Sequence, residues 1–235
     1  PVQYAAALLV DTLGTPLLEI GKFRGPVANT TALLPQALEM HQARHSEVIA
    51  DGDGQLRLDF LVPLVAFASD GQRASVGGLV LSVRPEQFLF PFVEHWPTAS
   101  ASGETLLVRR EGDSVLFINE PRGFKGGGLA LRRPLTQAGD PVVAAVNEAR
   151  SGVGRGIDYR GVDVLAAYRP VTGTEWVVVA KLDRSEVMAP LRQLSFWVSL
   201  IALVALVVIG AVIFLFWRQR ERTVQLELRA QSDKV

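Results

Sequence analysis

Hydrophobic and polar positions divide the chain into three regimes. Up to about residue 183, apolar residues come in short runs of four to ten, punctuated by Gly, Asp and Pro. From Gln193 to Trp217 no charged residue occurs for 25 positions. Beyond Trp217 charged and polar residues dominate. A helix rises about 1.5 Å per residue, so the uncharged run spans roughly 37 Å, more than the roughly 30 Å of a bilayer's hydrocarbon core. It predicts a transmembrane helix over 193–217, with Trp197 and Trp217 near its ends, where amphipathic rings favour the interface. A buried helix of a soluble core is the alternative, but such helices are shorter and lack the arginines that rim this one.

The first regime reads as strands and short helices. Residues 4–21 predict a hairpin turning at Asp11 to Gly14. Thr30 or Thr31 is positioned to cap a helix carrying Leu33, Leu34, Ala37, Leu38 and Met40. After the turn cluster Asp51-Gly-Asp-Gly54, the residues Leu56, Leu58, Phe60 and Val62 alternate with Arg57, Asp59 and Leu61. That period of two predicts a strand with one covered face. Ser69 to Gln72 is a further hairpin turn, leading to a strand over 74–83. Pro85 and Glu86 open a short helix with Phe88, Leu89 and Phe92 that ends near Trp96-Pro97. An antiparallel sheet with helices on one side would bury these faces.

The pattern then restarts. Residues 102–110 and 115–118 predict a second hairpin, followed by a Gly-rich loop at 123–128 read as mobile, and a short helix over 141–150. Three strands follow, at 156–160, 162–168 and 176–181. Asp183 and Glu186 have the spacing of a helix cap, and that helix can run from Arg184, past Pro190, through the uncharged run and into the tail.

Charge adds an orientation. The chain holds 24 basic and 24 acidic residues, which gives no basic field for a nucleic acid. The tail 218–235 carries five basic and three acidic residues, with Arg218, Arg220 and Arg222 directly after the span. The positive-inside bias places this tail in the cytoplasm and residues 1–192 outside. The opening PVQYAAALLVDTLGT lacks the plan of a signal peptide, so an upstream export signal or first membrane helix is expected in a longer protein. With no cysteine, disulfides, zinc-thiolate sites and thiol catalysis are excluded.

Candidate chemistry is sparse. His41 and His45 stand four apart, a spacing that brings two metal ligands to one helix face, but no third ligand accompanies them. Asp51, Asp53 and Asp59 flank a turn, yet Leu56 and Val62 occupy positions where a calcium loop needs Gly and Glu. Gly123 to Gly128 lacks the GxxxxGK[ST] order of a phosphate loop, and neither GxSxG nor HExxH occurs. The segment is read as non-catalytic, without metal or cofactor; any enzymatic activity would belong to an output domain elsewhere in the protein.

The block from Tyr159 to Val187, YRGVDVLAAYRPVTGTEWVVVAKLDRSEV, resembles the closing strands and exit helix of the membrane-proximal module in Cache-type sensor regions. Ser102 to Ile118 is similar to the opening hairpin of that module, and Gly71 to Trp96 to the end of a membrane-distal module. The resemblance covers nearly all of residues 1–192. It implies an α+β fold of two PAS-like modules, each an antiparallel sheet flanked by helices, followed by a transmembrane helix. The expected division is 1–97 distal module (without its N-terminal helix), 98–183 proximal module, 184–192 exit helix, 193–217 membrane span and 218–235 cytoplasmic helical linker.

The resemblance further implies extracytoplasmic sensing of a small molecule by a homodimer in a bacterial inner membrane. The signal would pass to a cytoplasmic histidine kinase, diguanylate cyclase or phosphodiesterase. A PAS-like pocket would draw on Tyr4, Phe60, Phe67 and Arg73 in the distal module, and on Arg109, Phe117, Tyr159, Tyr168 and Arg169 in the proximal one. Aromatics would line the pocket, and an Arg would pair with a ligand carboxylate. The amino-acid-binding signature of some double Cache sensors is not recognisable. A competing reading is a membrane-anchored interaction or structural module with no small-molecule ligand.

Overall fold

The structure, a computed structural model, describes residues 4–21, 32–67 and 73–232. Thr30, Thr31 and the turn at 69–72 lie outside the described residues. Pro1–Asp183 form one compact unit and Arg184–Val235 a second.

The described residues of the first unit form two antiparallel sheets, labelled distal and proximal after the modules expected from the sequence. The distal sheet has strands β1 (Tyr4–Val10), β2 (Pro16–Gly21), β3 (Arg44–His45), β4 (Ile49–Ala50), β5 (Leu56–Phe67) and β6 (Arg73–Val83). Its order is β2-β1-β6-β5-β3, with β4 also pairing β5. The proximal sheet has β7 (Glu104–Glu111), β8 (Ser114–Phe117), β9 (Arg132–Pro134), β10 (Gly152–Ile157), β11 (Asp163–Pro170) and β12 (Trp176–Asp183), in the order β10-β11-β12-β7-β8-β9. Among the described residues three short helices cover them: α1 (Leu34–Met40), α2 (Pro85–Glu94) and α3 (Pro141–Glu148). The α+β class and the doubled antiparallel arrangement agree with the sequence reading.

The helices begin where local chemistry requires. Pro85 and Pro141 occupy first-turn positions, where a missing N–H costs nothing. Asp140 caps α3, accepting a 2.9 Å hydrogen bond from the Val142 N–H. At α1 the cap position is Leu33, which makes no side-chain cap bond. That helix stops at Met40, because His41 takes a left-handed conformation with φ of 50°. His41 and His45 therefore do not share a helix face, which corrects the paired-ligand spacing: His45 stands on β3.

Three apolar clusters organise the unit. In the distal one, α1 lays Leu34 and Ala37 on Leu8, Val10, Leu61 and Val80. In the proximal one, α3 lays Val142, Val143, Ala145 and Val146 on Leu106, Val108, Phe117, Tyr168, Val177 and Val179. The third joins the modules: Val48, Leu56, Leu58, Val83 and Phe90 of the distal part pack on Leu107, Ile118 and Trp176 of the proximal part. Hence β5 is covered on both faces where the alternation predicted one. Arg57 and Asp59 are 4% and 0% exposed, with a 3.5 Å ion contact between them. Phe92, expected on the covered face of α2, is exposed, and Phe90 takes that place.

The strand expected at 156–160 lies instead at 152–157, in the stretch Gly-Val-Gly-Arg-Gly-Ile. Its glycines at 152, 154 and 156 face the proximal core. A Cβ on Gly152 would stand 2.7 Å from the Tyr168 ring, and one on Gly156 would stand 1.8 Å from the Gly139 carbonyl oxygen. Without side chains there, Tyr168 and the approach to α3 lie directly on the sheet.

The second unit is a single helix, α4 (Arg184–Ser232), with Pro190 inside it. It follows β12 with no intervening residue. Its Arg184–Arg218 stretch is long and apolar enough to cross a membrane, and side chains such as Leu203, Ile209 and Phe216 are exposed along it.

Candidate functional site

The four distal residues singled out from the sequence do not converge. Phe67 and Arg73 are cross-strand partners at one end of the β5–β6 pair, where the guanidinium lies 5.8 Å from the ring centroid and Phe67 is 73% exposed. Phe60 stands seven residues away along β5, about 23 Å at the rise of a strand. It packs on the cluster between the modules, its ring 6.5 Å from that of His45. Tyr4 is exposed at the start of β1, opposite Val83.

In the proximal module three aromatics do come together. Phe117 is fully buried, with Tyr159 edge-on at 5.9 Å and Tyr168 in the same cluster. The Tyr168 hydroxyl donates to Glu148 at 2.9 Å. Burial and that carboxylate both push its pKa up. Neither arginine joins them. Arg169 is exposed, and Arg109 lies near Trp176, its cross-strand partner, with ion contacts of 3.7 Å to Glu47 and 3.5 Å to Glu111.

Beside the aromatics is a cluster of charged side chains that the sequence reading did not single out. Lys181 on β12 and Glu104 on β7 are direct cross-strand partners, 2.9 Å apart at their charged ends. The same ammonium donates to Asp158 and stands 4.1 Å from the centroid of the Tyr159 ring. The Tyr159 hydroxyl donates to both Glu104 oxygens, at 3.0 and 3.1 Å. Arg160 donates to Asp158 at 2.8 Å and to Asp183 at 2.5 Å.

These partners set the protonation of the cluster. Burial opposes ionisation of Asp158, but hydrogen bonds from Lys181 and Arg160 outweigh it and hold the carboxyl below its ordinary range. Burial also raises Tyr159, reinforced by the adjacent Glu104 charge. At Arg160, burial is outweighed by hydrogen bonds to Asp158 and Asp183, which keep the guanidinium charged. The signal for two of these residues is parity: Lys181 follows Val177 and Val179 at intervals of two, and Glu104 precedes Leu106 and Val108 in the same way. A charge in phase with buried residues is itself buried.

A second group links the modules. The Trp176 Nε1–H donates to Glu47 at 2.6 Å, and the ring lies 5.6 Å from His45. Asn119, 1% exposed, accepts from the Leu107 N–H at 2.7 Å and donates to Glu94 on α2 at 3.2 Å. A polar hollow of about 340 Å³ opens here between Glu94, Glu104, Thr105, Asn119, Glu120 and Arg122. An apolar hollow of about 590 Å³ lies between Trp96 and the β10–β12 surface at Val153, Leu165, Ala167, Ala180 and Leu182. Among the described residues, no three His, Asp or Glu side chains are grouped to hold a metal ion.

No family model and no curated protein matches the sequence. Solved structures do resemble the fold. The extracellular domain of mmHK1S-Z2, a protein assigned as a histidine kinase, aligns with a TM-score of 0.53 at 14% identity, over 79% of this chain and 77% of that one. The extracellular domain of mmHK1S-Z3, likewise assigned as a histidine kinase, gives 0.50 at 14% identity, over 81% and 77%. An extracellular ligand binding receptor from Desulfohalobium retbaense gives 0.45 at 20% identity, over 76% of this chain and 30% of that one. The chain thus spans about three quarters of the two kinase domains and less than a third of the receptor. The chain shares the fold of these extracellular domains, which here is two antiparallel sheets flanked by helices.

Proposed function

We propose that this chain is the extracytoplasmic small-molecule sensor region of a transmembrane signalling protein, together with the helix that carries the signal to a cytoplasmic output domain. One observation carries the reading: a two-sheet unit with the fold of extracellular domains ends in β12, and the next residue opens an apolar helix long enough to cross a membrane. The positive charge of the tail supports an orientation with residues 1–192 outside and 218–235 in the cytoplasm. A histidine kinase or a cyclic-di-GMP enzyme is the proposed output, and pairing of two such helices in a homodimer would let a shift outside alter their packing inside.

Within this reading Phe67 and Arg73 are the proposed distal contacts: an exposed aromatic face beside a guanidinium suits a ligand with a carboxylate. The test is a thermal-unfolding screen of the whole chain in lipid nanodiscs against organic acids, amines, amino acids and sugars. Stabilisation that grows with ligand concentration and disappears in Arg73→Ala supports the reading. A stabilising ligand whose effect survives Arg73→Ala overturns the placement, and no stabilisation across the panel counts against small-molecule sensing.

A further inference from the structure

In a buried interior a lone ammonium is costly, and two carboxylates and an aromatic face offset that cost. The Lys181 side chain is fully buried, Asp158 equally so, and Glu104 nearly so. The three groups around its nitrogen come from two places in the fold. Glu104 belongs to β7, Asp158 follows β10, and Tyr159 begins the turn into β11. Each is fixed by contacts besides Lys181. Asp158 accepts from the backbone N–H of Arg160 at 2.8 Å and of Val162 at 3.2 Å, while Glu104 accepts from Tyr159 and from the Arg122 N–H. The cage is therefore built by the fold rather than gathered by the lysine. Its chemistry, two carboxylates and the face of a phenol ring, is what recognises a primary alkylammonium.

We propose that the proximal module contains a built ammonium-binding site whose permanent occupant is its own Lys181, a tethered ligand that holds the end of β12. Lys181 lies two residues before Asp183, whose N–H donates to Ser102 at 3.0 Å and whose carboxylate accepts from Arg160. The filled cage thus fixes the end of β12 to β7 and to the 158–160 turn, immediately before α4 begins.

Chemical rescue tests it. Lys181→Ala removes the atoms of n-propylammonium, so the whole chain carrying this substitution, in nanodiscs, is titrated with n-propylammonium and, separately, n-propanol. Hydrogen exchange is read at 158–162 and 176–183. The expected result is exchange in the variant at least tenfold faster than wild type, restored towards wild type by millimolar n-propylammonium and not by n-propanol, with no effect of either on the wild-type chain. Equal effects of amine and alcohol, or none, overturn the proposal. If Lys181→Ala does not fold, the wild-type chain decides: mild acetylation followed by mass spectrometry should modify exposed Lys125 at least a hundredfold faster than Lys181. Comparable rates would refute the enclosed cage. Failure of rescue leaves distal sensing standing, and failure of the ligand screen leaves the cage standing.

Discussion

Removing Trp176 should loosen both modules at once. Trp176 is 6% exposed and lies among Val48, Leu56, Leu58, Val83 and Phe90 from one module and Leu107 and Ile118 from the other. A tryptophan buries roughly 150–250 Å², worth about 4–6 kcal/mol at about 25 cal/mol per Å², an upper estimate because the unfolded chain already hides some surface. Large aromatic truncations in cores cost about 3–5 kcal/mol, so Trp176→Ala is expected to cost about 4 kcal/mol. Trp176→Phe keeps most of the apolar contact and loses the hydrogen bond to Glu47. Because that carboxylate is part-exposed and water can replace the indole N–H, the cost falls to about 1 kcal/mol. Hydrogen exchange of the whole chain in nanodiscs reads both values by segment. At tenfold per 1.4 kcal/mol, Trp176→Ala should accelerate the slowest amides of β5, β6, β7 and β12 by roughly a thousandfold, and Trp176→Phe by roughly fivefold to tenfold. Acceleration confined to 104–183, with 56–83 unchanged, would refute the shared core and leave two independently stable modules.

Further outcomes follow from the charged positions and the glycine strand. Asp158 has a lowered pKa in the folded chain, so its stabilisation is full above the ordinary value of 3.8 and is lost as pH falls through the lower folded value. Asp158→Asn should thus cost stability at pH 5–8, with the gap from wild type closing in unfolding curves taken below that range. Asp140 is shifted the other way by burial: its ionised form carries a cost at neutral pH that disappears as pH falls below its raised folded pKa. Asp140→Asn keeps the α3 cap acceptor without the buried charge and should leave thermal stability unchanged or higher at pH 7, whereas Asp140→Ala should lose about 1 kcal/mol. Gly156→Ala would push a methyl into the Gly139 carbonyl and should cost about 3 kcal/mol by denaturant titration; a neutral result would contradict the close approach of β10 and the α3 entry.

Much of this architecture was legible because the pattern that specifies it is local. Apolar runs within 74–83, 102–110 and 176–181 mark strands, Pro85 and Pro141 mark helix starts, and an uncharged run marks the long apolar helix. What the alternation could not show was the second covered face of β5. Arg57 and Asp59 stand in phase with Leu61, on the face that the distal cluster covers, whereas Leu56 and Leu58 face the other module. The strand at 152–157 was displaced in the reading because Gly-Val-Gly-Arg-Gly has little apolar signal on its core face, where the absence of side chains is what packing requires. In the charged cage, Lys181 and Glu104 stand in phase with buried valines and leucines, but Asp158 reaches them only through the turn after β10, which no strand pattern marks. Of the residues named from the sequence, Phe117, Tyr159 and Tyr168 meet in one core, whereas Arg109 is drawn to Glu47 in contacts that no spacing within one module could reveal.

The sensing account depends on residues 1–192 and 218–235 lying on opposite sides of a membrane. These residues contain no cysteine, so single cysteines introduced among them can be labelled in whole cells. With one cysteine at Gly173, in the turn before β12, or at Ser232, a membrane-impermeant maleimide should label the first without permeabilisation and the second only after it. Labelling of position 232 in intact cells, or protection of position 173, would contradict an extracytoplasmic sensor joined by a membrane-crossing helix to the cytoplasm.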